Sequence, residues 1–391
     1  MKQTQNLSRR EMILASGIIV GGISQGSTVY GHSEDEQKEL IFRTTDPRNA
    51  EPELGDLIKS WLTPTKYFYV RSHAPNPKID VDKYRLGVEG MVTQELSLSM
   101  EDIRRLKKYE ITATLTCAGN RRAEYNKEGK VGGVQWDAGA IGNATWGGAR
   151  LADVLKAAGV SEKAKHVWFE GLDEIPKSGK IIPFGASIPV EKAMSTESDV
   201  GALLAYEMNG KPLTADHGYP LRTLVPGYIG ARSVKWIGKI ILSDKTSPNH
   251  YLANAYKIVK NTEAIDWTEA GPIYRFPING AIGSHGKNAK LATGQVEVSG
   301  YVLPTGVTGA EVTTVNISAD NGKSWIKASL HGDKGEFCWQ LWSAKLNIQR
   351  STKQIIVRAR DSAGGFMPAR VPWNAKGYLQ NSWYRLPVEV E

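Results

Sequence analysis

A mixed α+β half followed by a β-sandwich half is the architecture this sequence predicts. Up to about Leu242, helically spaced segments alternate with short apolar strands. Beyond about Gly294, short alternating strands recur between Gly, Asn and Asp turns. The 391 residues also suffice for two domains, each burying a core of its own.

The elements follow in order. Residues 6–31, NLSRREMILASGIIVGGISQGSTVYG, place Arg9 and Arg10 ahead of a weakly apolar run from Met12 to Ile23. That run is short and rich in Gly and Ser for a membrane span, and the pair matches a twin-arginine (Tat) export signal. We therefore expect residues 1–31 to be a signal, and the protein to reach the periplasm already folded. LSMEDIRRLKKY (98–109) and GARLADVLKAAGV (148–160) carry helical spacing, while EITATL, HVWFEG and LLAYEMN alternate as strands. Residues 245–292 are loop-rich. QVEVSGYVL, EVTTVNISAD, SWIKASL, FCWQLW and KQIIVRARD then predict a sandwich of immunoglobulin type, with Asn321–Gly322 at a hairpin turn. The expected boundaries are 1–31 for the signal, 32–250 for the catalytic domain and 251–391 for the second domain.

Composition narrows the function. A net charge of +8, spread without blocks of like charge, suits anionic small molecules. No zinc-finger or RNP pattern accompanies it, so nucleic acid is not expected as a partner. The chain has 2 cysteines, which excludes a four-thiolate metal site. Cys338, between Phe337 and Trp339, reads as inert core within a strand. Cys117 differs: it ends a strand in TLTCAGNRR (114–122), with Gly119 giving room for a bulky group and Arg121 and Arg122 supplying charge. A nucleophile, a redox thiol and a soft metal ligand all remain open on this pattern. A metal held by one protein thiolate would draw its other donors from an organic cofactor.

YVRSHAPNP, TLTCAGNRR, VQWDAGAIGNATWGGARL, FEGLD, LLAYEMNGKPLTADHGYPLR and VPGYIGARSVKWI, in that order, resemble the molybdenum domain of the sulfite oxidase family. WNAKGYLQNSWYR (373–385) resembles the end of that family's second, immunoglobulin-like domain. No CxxCH haem motif is present, so the likeness is to bacterial sulfite dehydrogenases that use a separate cytochrome. The resemblance implies molybdenum on molybdopterin, with Cys117 as the only protein ligand. It implies Arg71, Arg122, Tyr206, Trp136 and Lys376 around the substrate. For the pterin it implies Tyr69, Val70, Arg71, Ser72, His73, Asp173, His217, Arg222, Ser233, Val234 and Lys235.

Two positions depart from the animal pattern. Lys376 stands where those enzymes have arginine, keeping the charge and losing the planar fork. Ser233 replaces a histidine, so a backbone contact is expected there rather than a side-chain one. The implied reaction is oxygen-atom transfer to sulfite, giving sulfate, with electrons passed singly to a c-type cytochrome. The implied second domain is of the dimerisation type. Reduction of an S-oxide such as methionine sulfoxide is the nearest alternative; the cations Arg71, Arg122 and Lys376 suit a compact anion better than a neutral side chain. A secreted binding module without catalysis is the other alternative, and retention of Cys117 beside both arginines speaks against it.

Overall fold

The helical spacing at 98–109 yields a shorter helix than it suggests, and the reason lies at its ends. Ser99 caps the helix Met100–Arg105: its hydroxyl accepts from the Asp102 N–H, and the Asp102 carboxylate accepts from the Ser99 N–H at 2.9 Å. Leu106 then turns extended, and Ile111, Ala113 and Leu115 alternate into the interior along the strand Lys108–Thr116. In GARLADVLKAAGV the residues Gly148–Arg150 likewise belong to the preceding strand Ile141–Arg150. The helix itself is Leu151–Ala158, closed by Gly159 at φ 70°. These two strands pair antiparallel without a slip, from Lys108 opposite Ala149 to Thr116 opposite Ile141. That register delivers Cys117 to the end of the ladder, beside Ala140.

The computed structural model describes residues 40–259 and 270–391, and the twin-arginine segment lies outside the described residues. Two large sheets form the core of the first half, beside a three-stranded and a two-stranded one. One orders Gly185–Pro189, His166–Gly171, Ile237–Ser243, Leu86–Gly90 and Leu96–Leu98, with a parallel pairing between Ile237–Ser243 and Leu86–Gly90. The other orders Lys211–Pro212, Leu203–Met208, Ile141–Arg150 and Lys108–Thr116, and Arg222–Leu224 joins it on Leu203–Met208. The helix Leu151–Ala158 buries Leu151, Val154 and Leu155 in the same core as Leu86, Phe169 and Ile240.

The second half is a sandwich, as expected. Asn279–Ile282, Gly294–Leu303, Gln340–Ile348 and Ser329–His331 form one sheet. Ala289–Leu291, Tyr384–Val390, Gln354–Asp361, Val312–Ser318 and Ile326–Lys327 form the other. Asn321 and Gly322 have φ of 64° and 85°, the left-handed pair a tight hairpin requires, and Ile317 pairs with Ile326 across it. One expectation needs correcting. Cys338 is not in a strand; it precedes Gln340–Ile348, after Phe337 turns left-handed at φ 56°. It is buried, its thiol 3.2 Å from the Thr112 carbonyl, and burial pushes its pKa up to about 12.

The described residues belong to one compact unit, and backbone meets backbone where the halves dock. A Cβ on Gly306 would sit 1.9 Å from the Gly227 carbonyl oxygen. No side-chain motion relieves that clash. Gly306→Ala should therefore cost about 1–3 kcal/mol, read as a lower denaturant midpoint; an unchanged midpoint would show that the halves are not in this close register.

Candidate active site

Cys117 sits at the first turn after its strand, 8% exposed, with its N–H on the Ala140 carbonyl at 2.9 Å. The chain reverses at once: Asn120 N–H bonds the Cys117 carbonyl at 2.9 Å, and the Gly119 N–H points at the sulfur from 3.4 Å. Gly119 does make room for a bulky group, and that group is Arg122. A Cβ there would lie 2.5 Å from the Arg122 Nη2. The arginine is thus folded over its own turn, with Nε on the Lys376 carbonyl at 2.9 Å and Nη1 on the Val134 carbonyl at 2.8 Å.

The sulfur faces a cavity lined by residues far apart in sequence. Tyr69, Arg71, Ser72 and His73 come from the segment around the short strand Val70–Arg71; Asp173 follows the strand His166–Gly171; His217, Arg222, Ser233 and Lys235 come from the loops around Arg222–Leu224. All of these were expected, and the fold gathers them at one place. Val70 and Val234 are also buried, but their side chains are core and do not line the cavity. Ser233 turns its hydroxyl away to accept from the Val225 N–H at 3.0 Å, and its carbonyl accepts from Arg222 at 3.1 Å. Its hydroxyl is thus committed to the backbone, and the expected backbone contact with a cofactor is left to the main chain there.

The electrostatics of this cavity are one-sided. Arg222 is 5% exposed and donates to the carbonyls of His217, Ser233 and Thr223, with no carboxylate among those partners. Burial holds its pKa down at about 10. Lys235 donates to the Ser72 hydroxyl and the Asp216 carbonyl, each at 2.8 Å, and burial lowers its pKa to about 7. His73 packs against Phe184 and Tyr251, at 4.8 and 4.4 Å, in a three-ring cluster, and its Nε2 lies 2.8 Å from the Arg71 Nη2. Burial first, then Arg71 and Lys235, holds its pKa well below the ordinary 6.5, so it is neutral at pH 7. Of the acids in the lining, Asp173 accepts from the Phe184 N–H at 2.9 Å, and burial raises its pKa. Asp216 is already paired with Arg48 at 2.9 Å. A buried, cationic cavity of this kind is built for an anionic group.

Four expected substrate-side residues fall outside this lining. Tyr206 is a correction. Along Leu203–Met208, Leu203 and Ala205 face the Cys117 cluster, whereas Leu204 and Tyr206 face the opposite core of Leu86, Val154 and Ile237. Strand periodicity of two sends the phenol the wrong way, where Arg104 covers its ring at 6.0 Å. Trp136 is fully buried in the cluster that holds Cys117, and its indole N–H has no partner. Arg122 lies one layer out, 5.1 Å over the Tyr378 ring. Lys376 lines a separate open cavity with Lys177, His250 and Tyr378.

Besides Tyr69, the Cys117 cavity is lined by a second tyrosine, Tyr256, which sequence reasoning missed. Its hydroxyl lies 3.3 Å from the His73 Nε2, and its ring stacks on Tyr378 at 5.3 Å. It follows the helix His250–Ala253 inside the stretch read only as loop. Asp216 and Phe184 were missed as well. Among the described residues no group of three His, Cys, Asp or Glu side chains is arranged to hold a metal. A metal at Cys117 would thus take its remaining donors from a cofactor. The lone sulfur donor, Arg222 with only carbonyls among its hydrogen-bond partners, and Lys235 fit molybdenum carried on an anionic pterin.

Comparison with known proteins agrees with this geometry. Residues 73–251 match the family model of the oxidoreductase molybdopterin binding domain, and 270–391 that of the Mo-co oxidoreductase dimerisation domain. The chain is 39% identical over 380 residues to mitochondrial sulfite oxidase of Rattus norvegicus, covering 94% of this chain and 68% of the relative. It is 38% identical over 390 residues to sulfite oxidase of Arabidopsis thaliana, covering 94% of this chain and 98% of that one. The crystal structure of a sulfane dehydrogenase from Paracoccus pantotrophus superposes with a TM-score of 0.74, covering 95% of this chain and 96% of the other, at 24% identity. That likeness is one of fold.

Lys235 gives the cavity a measurable signature in the ligand-free chain. Its pKa falls from 10.5 to about 7 on folding. The resulting penalty on the fold grows as pH drops from about 10.5 to 7 and stays constant below that. Lys235→Met removes it, so the variant's melting temperature, relative to the parent's, should be several degrees more favourable at pH 6 than at pH 10. An equal offset at both pH values would mean the lysine is not desolvated.

Proposed function

The chain belongs to the sulfite oxidase family of molybdopterin-binding oxidoreductases, and from that membership we propose that it oxidises sulfite to sulfate and passes the electrons singly to a c-type cytochrome. The observation that carries the reading is the convergence of the Cys117 sulfur with Arg71, Arg222 and Lys235 on one cavity, where among the described residues no group of three His, Cys, Asp or Glu side chains is arranged to hold a metal by itself.

When bound at Cys117, the cofactor supplies the oxygen-atom transfer chemistry. The rest falls to side chains. Arg222, Lys235 and His217 would hold the anionic pterin. Arg71 presents its guanidinium to the substrate; Asn49 accepts from its Nη1 at 3.1 Å, and His73 meets its Nη2, so the fork is fixed before any anion arrives. Tyr256 offers a hydroxyl to a bound oxyanion, and burial keeps its proton on. Neutral His73 touches both groups and relays their positions to each other.

Lys376 and Lys177 at the outer cavity add positive potential, beside His250, whose pKa burial and those lysines lower. This excess of cations favours a small dianion over a neutral sulfoxide. Export to the periplasm through the twin-arginine route, and pairing of two chains through the second domain, complete the proposal. They rest on Arg9–Arg10 ahead of an apolar run and on the dimerisation-domain match.

Arg71→Gln should raise the sulfite KM by about tenfold or more with molybdenum still bound, since a charged donor is lost from substrate and not from the metal. An unaltered KM would remove Arg71 from the substrate's contacts. Tyr256→Phe should lower kcat by roughly tenfold or more, while Tyr206→Phe leaves it within about twofold. The reverse pattern in steady-state sulfite oxidation would restore Tyr206 to the site. Cys117→Ser should abolish turnover, and retained activity would dismiss the ligand role.

A further inference from the structure

We propose that the Tyr301 hydroxyl, contributed by the sandwich half, is a positioning group for Cys117: it ties together the two loops that hold the thiol. The inference rests on the cofactor reading above.

Tyr301 lies in the strand Gly294–Leu303 and is fully buried. Its ring packs near Trp339, 5.4 Å away within the sandwich, and a phenylalanine would fill that space equally well. The hydroxyl serves the other half of the molecule. It donates to the Ala138 carbonyl at 2.7 Å and accepts from the Asn120 side-chain amide at 3.1 Å. The Asn120 Oδ1 in turn accepts from the Ala140 N–H at 3.0 Å, and the Ala140 carbonyl accepts from the Cys117 N–H at 2.9 Å. A closed circuit therefore runs from Tyr301 through Asn120 and Ala140 to the backbone of Cys117, and back through Ala138.

Other contacts from the second half grip only one loop each. Leu379 N–H bonds the Ala118 carbonyl at 2.8 Å, the Arg121 guanidinium reaches Asn279 at 3.2 Å, and Lys287 meets the Asp137 carboxylate at 2.6 Å. Tyr301 touches both loops from a fully buried position. Removing its hydroxyl leaves the Ala138 carbonyl and one Asn120 N–H unpaired, and the loops gain freedom about the sulfur. Docking of the sandwich thus becomes a condition for correct placement of the metal ligand.

The test is Tyr301→Phe in the full-length chain, with Asn120→Ala cutting the same link from the other side. Made without molybdenum, each variant should show iodoacetamide alkylation of Cys117 about tenfold faster than the parent, followed on the Cys117 peptide by mass spectrometry. Loaded with cofactor, each should keep its molybdenum and its sulfite KM within about twofold while kcat falls about tenfold. The double variant should be no worse than the singles, because both cut one circuit. Parental alkylation rate and kcat in either folded variant would overturn the proposal. Loss of kcat in proportion to loss of folded protein would do so too, since that marks a purely structural role. The alkylation arm decides the matter even if sulfite proves not to be the substrate.

Discussion

Positive charge held away from water is the constraint on which the rest of this structure depends. Arg222, Lys235 and Arg71 converge on one cavity, and the acids in its lining are engaged elsewhere or held by backbone N–H groups. Such a gathering is unfavourable by itself, as the depressed pKa values of Lys235 and Arg222 record. It persists because backbone carbonyls absorb the donors: His217, Ser233, Thr223 and Asp216 each present one. Loops between strands supply carbonyls at angles a regular ladder could not, which accounts for a site built at strand ends. An anionic cofactor then completes the balance.

The same logic explains why the second half is more than an appendage. Arg121 is fully buried at the junction, where Glu124 takes its Nε at 2.7 Å and Asn279 its Nη1 at 3.2 Å. Arg122 is likewise held by the Lys376 carbonyl. The two arginines after Cys117 therefore differ in purpose: the first anchors the sandwich, and the second carries charge toward the outer cavity. The cavity at the sulfur draws its charge from Arg71, Arg222 and Lys235 in its lining, and Arg122 also acts on His73 and Tyr256 there.

Specificity in this arrangement is layered. The inner cavity recognises a large anionic group through fixed donors from the first half. The outer one, with Lys376 and His250, meets solvent and draws on both halves. A lysine at 376 places a mobile point charge where a planar fork would impose orientation, so orientation must come from Arg71, whose guanidinium Asn49 and His73 already hold in place.

Much of this was determined by the sequence alone. Alternating strands and the Asn321–Gly322 turn specify the sandwich because side-chain period and backbone handedness are local properties. The resemblance of the motifs around Cys117, Arg71, His217 and Lys235 to the sulfite oxidase family indicated which residues to expect at the cavity, whereas their chemistry alone left the role of Cys117 open. What only the tertiary structure decided was direction. Tyr206 and Tyr256 are both tyrosines near motif residues, and the sequence offers nothing to rank them; a strand's two faces separate one from the sulfur, and a loop crossing between halves brings the other to it. The Tyr301 circuit was invisible for the same reason: a hydrogen bond between residues 163 apart in sequence leaves no local pattern.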